Sequence, residues 1–252
     1  MRLHAGIVRA AIILASVLAA LATGNAGDKK NQAKPSGPQM IDSGAFGVFV
    51  GGKRVATETF SVQQQDSVSI IKSQVKVETS DPVTQKSDLE ITPAGELIKY
   101  DWSQSSGGSL QVLPNNEFLI EKITAPNATK PAEQPFLMPN TSAILDNNFF
   151  VHREILIWRY LAAACKSEGG GQKCLKDPGE FGVLVPQDRT SMHIRMEIVG
   201  SEKISIRGTD RDLMRLNLKG ENFDWALWVD EKDQFKLIKV AIPADNTEVV
   251  RD

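Results

Sequence analysis

Histidine, cysteine and tyrosine are nearly missing from this chain. Its 252 residues include 3 histidines, 2 cysteines and 2 tyrosines. Outside the N-terminal segment the imidazoles are His152 and His193, too few for a zinc site, which wants more histidine or cysteine. There is no H-E-x-x-H, and Asp146-Asn147-Asn148 lacks the remaining spacing of a calcium loop, so no metal and no cofactor are expected. A serine hydrolase would have to use one of those two histidines, and no G-x-S-x-G elbow is present. Neither sign of charge dominates. The chain has 29 basic and 31 acidic residues, with no basic cluster, which excludes the footprint of a nucleic-acid partner.

Two spacings imitate catalytic motifs and fail on their surroundings. Gly47 to Lys53 matches the opening of a phosphate-binding loop. Arg54, however, stands where a hydroxyl must hold magnesium, and Val55–Phe60 is strand-like where a helix should begin. A hairpin turn is the simpler reading. Ser69 and Lys72 have the S-x-x-K spacing of penicillin-recognising enzymes, but the segment reads as strand and has no S-D-N or K-T-G partner.

The N-terminus carries an address. Arg2, His4 and Arg9 precede an apolar run from Ala10 to Ala22, the length of a signal-peptide core and too short to span a bilayer comfortably. Small residues then offer cleavage after Ala22, Gly24 or Ala26. The expected division is a signal at 1–26, a polar flexible leader at 27–42, and one β-rich domain at 43–252. An exported chain, periplasmic or extracellular, with no membrane span after cleavage, follows from it. Cys165 and Cys174 agree. The Gly-rich loop between them lets the sulfurs meet, an oxidising compartment keeps them joined, and C-x-x-C redox spacing is absent.

Most of the remaining sequence alternates. Gly44–Val50 and Arg54–Val62 form a hairpin, followed by Val68–Glu78. Two more hairpins are Ser87–Thr92 with Glu96–Ser103, and Ser109–Leu113 with Glu117–Thr124. Ala125–Asn140 carries four prolines and is expected to lack regular structure. Strands resume at Phe181–Val185, Ser191–Val199, Lys203–Arg207, Asp212–Leu218, Phe223–Val229 and Gln234–Ile242. One helix interrupts them near 147–164, capped by Asp146 or Asn147. Phe149–Ala164 has neither Gly nor Pro, and its apolar residues fall all round the wheel, as in a helix buried on most sides. The fold class is therefore mainly β, a large curved antiparallel sheet or half-barrel wrapped around one buried α-helix.

The C-terminal stretch Phe223-Asp224-Trp225-Ala226-Leu227-Trp228-Val229-Asp230, followed by Lys236-Leu237-Ile238-Lys239-Val240, carries a resemblance. With the Phe46–Val62 hairpin and the central helix, it resembles exported bacterial β proteins of unknown function and, more distantly, the lipoprotein-carrier half-barrels of the LolA and LolB kind. That resemblance implies a half-barrel whose concave face holds a helix and sometimes an apolar ligand; it brings no functional residues with it.

Candidate lining residues for such a ligand are Trp102, His152, Arg153, Trp158, Arg159, Trp225 and Trp228. The polar run His152-Arg153-Glu154 sits on an otherwise apolar helix, with Arg159 projecting from nearly the same side as His152. Arg153 or Arg159 would meet an anionic head group. The same groups could instead mark a solvated stripe or pair with sheet side chains, and the tryptophans could simply be core. His193 shares the polar face of its strand with Arg195 and Glu197, as a solvated histidine does. Three functions stay open: a carrier of an apolar small molecule or lipid, a non-enzymatic interaction module for another envelope protein using the Pro-rich loop, and, third, a hydrolase.

Overall fold

The alternation along the chain becomes strand after strand in the computed structural model, which describes residues 37–168 and 171–252. The expected signal, and residues 27–36 of the expected leader, lie outside the described residues. The chain's first half lays down β1 (Gln39–Val50), β2 (Lys53–Gln65), β3 (Val68–Val77), β4 (Thr84–Ile91) and β5 (Leu97–Gln104). It continues through β6 (Ser109–Asn115), β7 (Phe118–Thr124), β8 (Ala132–Leu137) and the short β9 (Ala143–Ile144). The helix α1 (Val151–Ala164) then leads into the small hairpin β10 (Cys165–Glu168) and β11 (Gly171–Cys174). Strands β12 (Gly179–Val185), β13 (Thr190–Ile206), β14 (Thr209–Lys219), β15 (Asp224–Asp230), β16 (Lys236–Ile242) and β17 (Thr247–Arg251) complete the chain.

All but β10 and β11 belong to one 15-stranded sheet, and its order explains the curvature. The first described strand, β1, lies in the middle. From β1 a meander runs outward to β8 at one edge; from the other edge β12 meanders back to β17, which pairs antiparallel with β1 from Phe46↔Arg251 to Val50↔Thr247. The two halves are thus joined by hydrogen bonds at the centre. At the far edge β9 adds parallel to β12 through Val183↔Ala143 and Leu184↔Ile144. The edge strands β8 and β9 are consecutive in sequence, so the short connector at 138–142 ties the two edges together covalently. Its Asn140 carbonyl accepts from the Leu97 amide at 2.7 Å, drawing β5 toward the connector as well. A curled half-barrel around a helix results.

The concave face is the core. Phe46, Ile71, Tyr100, Val112, Leu119, Met196, Leu216 and Leu227 point inward and are buried with Leu156, Ile157, Tyr160 and Leu161 of α1. Burial of a large apolar side chain contributes about 1.5–3 kcal/mol, so this cluster supplies most of the drive to curl. A second cluster lies on the opposite face: Ile206, Leu213, Trp228 and Ile238. Strand β13, expected as two pieces, runs unbroken through a bulge between Ile198 and Gly200. Its far end and the start of β14 thereby reach that face.

Three boundaries differ from the sequence expectation. The leader was expected to run through residue 42, but β1 begins at Gln39 and pairs with β2 from Gln39↔Gln64. Asp42, polar enough to read as leader, is buried there by an ion pair with Arg251 at 2.6 Å. The proline-rich stretch is not wholly irregular, because β8 pairs with β7 from Phe118↔Leu137 to Ile123↔Ala132. An edge strand supplies hydrogen bonds on one side only and so tolerates Pro135. The helix starts at Val151, two residues past Phe149, for a reason that belongs to the site.

Candidate functional site

Neither Asp146 nor Asn147 caps α1 with its side chain. The cap comes from β2. The buried Glu58 carboxylate accepts from the amides of Phe150 at 2.6 Å and Val151 at 3.3 Å, and from the Ser73 hydroxyl at 2.7 Å. A carboxylate at a helix N-terminus satisfies orphan amides and meets the positive end of the dipole. Burial nevertheless dominates and pushes Glu58 up to about 7. Asp146 is occupied elsewhere, accepting from the Tyr100 hydroxyl at 2.5 Å and the Asn148 amide at 3.0 Å.

The His152-Arg153-Glu154 run is buried throughout, and its three members go separate ways. Arg153 donates to the carbonyls of Asp146, Phe149 and Asn147 and lies between the rings of Phe150 and Trp225, at 4.8 and 5.0 Å. It fastens the approach to the helix and does not line a cavity. Burial brings it down to about 10. Glu154 accepts from Arg251 at 3.2 Å, and Arg251 in turn donates to Asp42. That network ties the helix to β17 and β1.

His152 faces the other way, toward the cavity beside α1; a larger, more open groove of about 860 Å³ lies elsewhere on the sheet, bordered by Phe60, Lys72, Asp101 and Trp102. The cavity encloses about 760 Å³ between α1 and the sheet. From the helix it is lined by His152, Ile155, Leu156, Arg159, Ala162 and Ala163, all on one stripe at helical spacing. Val62, Leu89, Ile91, Leu97, Ile144 and Phe181 face them from the sheet. Ala162 and Ala163 border it at the exposed, C-terminal end of the helix, one turn beyond Arg159. Trp158 also borders the cavity, its indole N–H donating to the Phe235 carbonyl at 3.1 Å. Arg159 stands at the mouth. Its guanidinium stacks on Phe181 at 5.5 Å and reaches the Gly95 carbonyl at 3.4 Å. Gly95 has φ +81°, and a Cβ there would come within 2.9 Å of the Arg159 Cδ, so glycine is needed on both counts.

Of the seven lining candidates, the structure gathers His152, Trp158 and Arg159 at this cavity. Trp102 lies apart, partly buried, with its indole bonded to Gln85 at 3.3 Å. Trp225 packs beneath Arg153, and Trp228 projects to the opposite sheet face, where it donates to Glu202 at 3.0 Å. Alternation along β15 puts Trp225 and Trp228 on opposite faces, which their three-residue spacing already required.

No protein-family model matches the chain, and no curated protein matches it significantly. Among solved structures, the fold is similar to that of a β-barrel-like protein of domain of unknown function DUF1849 from Brucella abortus. The TM-score is 0.50 at 6% identity, over 83% of this chain and 94% of that one. At such identity the likeness is one of fold.

Burial, with Arg153 adjacent, holds His152 down at about 3, so its imidazole is neutral. Its Nε2 lies 3.5 Å from the Ser87 hydroxyl, while Nδ1 has no partner among the described residues. A hydrolytic pair would want a carboxylate on that second nitrogen. Among the described residues no three or more His, Cys, Asp or Glu side chains are grouped to hold a metal ion. His193 lies outside the cavity beside α1, next to a smaller cleft that shares Ser142, Arg159 and Phe181 with it. Cys165 and Cys174 form a disulfide across paired positions of β10 and β11, directly after the helix. No helix among the described residues is long and apolar enough to cross a membrane.

Sequence reasoning missed Glu58, and it missed the sheet side of the cavity. The inward phase of β2 and β4 was legible in their alternation. Which inward residues stand back from the helix was not, since that depends on where α1 sits across the sheet.

Proposed function

We propose that this chain is an exported binding protein that takes up an apolar small molecule between α1 and the concave sheet. The observation that carries the reading is the cavity itself. At about 760 Å³ it falls within the range of small-molecule sites, and its walls are chiefly aliphatic. A helix that served only as core would be expected to fill the half-barrel along its length, whereas here the small, exposed Ala162 and Ala163 leave the opening beside Arg159 uncovered. The disulfide supports an oxidising compartment, in keeping with the signal read at 1–26. The resemblance of the C-terminal strands to lipoprotein-carrier half-barrels agrees with the same reading.

Uptake of the neutral dye Nile red tests it. Bound dye should rise in fluorescence and accept excitation energy from Trp158 at the cavity wall. Ala162→Trp, at an exposed helix position facing the cavity, should block the dye while leaving the fold unchanged by circular dichroism. Equal dye binding by parent and variant would contradict the assignment.

A second reading rests on a separate observation. Leu137, 75% exposed on edge strand β8, offers an apolar contact beside the proline-rich connection. An envelope partner docking there would be lost on Leu137→Asp with dye binding intact.

A further inference from the structure

The cavity wall carries a charge asymmetry that narrows the class of ligand. Its polar side chains are Gln64, Ser69, Thr92, Ser142, His152 and Arg159, with no carboxylate among them. Arg159 is the ionised member. Among the described residues it forms no ion pair, and its hydrogen bond to the Gly95 carbonyl is long at 3.4 Å. Glu96, in the adjoining turn, attracts it without pairing. The other acidic and basic groups of the helix are engaged within the fold: Glu154, its carboxyl pushed well above the ordinary range by burial, meets Arg251, and Arg153 donates to three carbonyls. A half-buried guanidinium with no carboxylate at ion-pair distance, opening onto an apolar chamber, is suited to an anion that arrives with an apolar body.

Position separates the two ends of such a molecule. His152 and Arg159 are seven residues apart on one stripe, about 10 Å along the helix axis. His152 marks the deep end: it is wholly buried and stays neutral, so it offers an anion no charge. Its Nδ1 is buried and without a hydrogen-bond partner among the described residues, so this end of the cavity is closed by an uncharged ring. Arg159 marks the mouth. Together with Ser142 and Phe181 it also borders an outer cleft of about 360 Å³, whose wall further out carries Glu180, so an anion held at Arg159 keeps part of its hydration. That removes most of the cost of burying a charge. Between the two ends the walls are Val62, Leu89, Leu97, Ile144, Ile155 and Leu156.

We infer that the ligand is a single-chain amphiphile with a carboxylate head, the head at Arg159 and the chain directed along α1 toward His152. The inference rests on the binding-protein reading above and adds the ligand's charge and direction. Shape follows from the same geometry. One chain lies in the channel beside the helix, and the head stays at Arg159, since Glu180 on the outer cleft repels a further anionic group.

Isothermal titration of the disulfide-bonded protein with dodecanoate and with dodecan-1-ol tests it, because the two share a chain and differ in the head. Dodecanoate should bind about tenfold more tightly than the alcohol, the difference expected of a charge-assisted pair. Arg159→Met should remove that preference and leave the alcohol within about twofold of its parent affinity, while Arg159→Lys should retain part of it. Equal binding of acid and alcohol, both blocked by Ala162→Trp, would overturn the head-group assignment and leave the cavity reading standing. Binding of neither, together with failure of Nile red uptake, would overturn both.

Discussion

Glu58 reaches the start of α1 from 92 residues away in sequence, and two amides depend on it. Glu58→Ala leaves both donors buried without an acceptor, a loss of about 2–4 kcal/mol in urea-denaturation stability, whereas Glu58→Gln keeps one acceptor and costs less. The pH response has a definite sign. Glu58 is raised from 4.5 to about 7, so between those values the folded chain holds a proton that the unfolded chain has released. Its contribution therefore declines as pH rises from 4.5 to 7, and Glu58→Gln should gain on the parent over that range. His152 behaves oppositely. Lowered from 6.5 to about 3, it refuses a proton that the unfolded chain accepts, so the parent loses stability as pH falls below 6.5. His152→Phe should gain on the parent by up to about 1.4 kcal/mol per pH unit on the acid side. Parallel pH profiles for parent and either variant would contradict the assignment for that residue. Arg251→Met removes the guanidinium shared by Glu154 and Asp42 and is expected to cost about 3 kcal/mol, less than a fully stranded pair, because Asp42 keeps Lys236 at 3.6 Å and buried Glu154 can take up a proton. These long-range partners were invisible in the sequence. Asp146 looked like a cap because it had the right type at the right place, yet Tyr100 and Asn148 claim it.

The helix was legible as an element for simple reasons: no Gly or Pro from Phe149 to Ala164, and apolar residues all round. Burial on most sides follows from that pattern and is what the structure shows. Its open stripe was only half legible. His152 and Arg159 stood out as polar groups on one side, but Ala162 and Ala163 gave no sign that they border space. Strand interiors were equally readable from alternation, while β8 was hidden because proline spoke against it and only its place at the sheet edge permits it. The hairpin after the helix provides a test at this scale. Cys165 and Cys174 close a short loop next to the amide of Leu175, which bonds the last helical carbonyl at 2.9 Å. Replacing both cysteines with serine should lower stability by about 2–3 kcal/mol. The helix itself should persist, because its inner face is held by Leu156, Ile157 and Leu161. An unchanged urea midpoint would show that the bridge constrains nothing. Gly95→Ala belongs here too. It should cost more than about 1 kcal/mol from the positive φ alone and push Arg159 off the turn.

At the scale of the molecule, alternation says which face a residue occupies but not which strand is its neighbour. That β17 returns to lie beside β1 is therefore a fact of the structure alone. It makes the ends of the described chain central to the sheet: the Asp252 amide bonds the Ala45 carbonyl at 2.9 Å, and the Asp252 side chain pairs with Arg54 and Arg207. Deleting Thr247–Asp252 should abolish cooperative unfolding, as the two meanders lose the strand that joins them. The same closure holds α1 at a fixed distance from β2, β4 and β5, and so keeps the cavity open. The central claim is that this space holds an apolar molecule. Native mass spectrometry of the protein, purified from its own cells without detergent, tests it most directly. The account predicts a stoichiometric extra mass that leaves on denaturation and is absent from Ala162→Trp. A bare polypeptide, two hydrogens lighter than the reduced chain and identical in that respect to the variant, would contradict it.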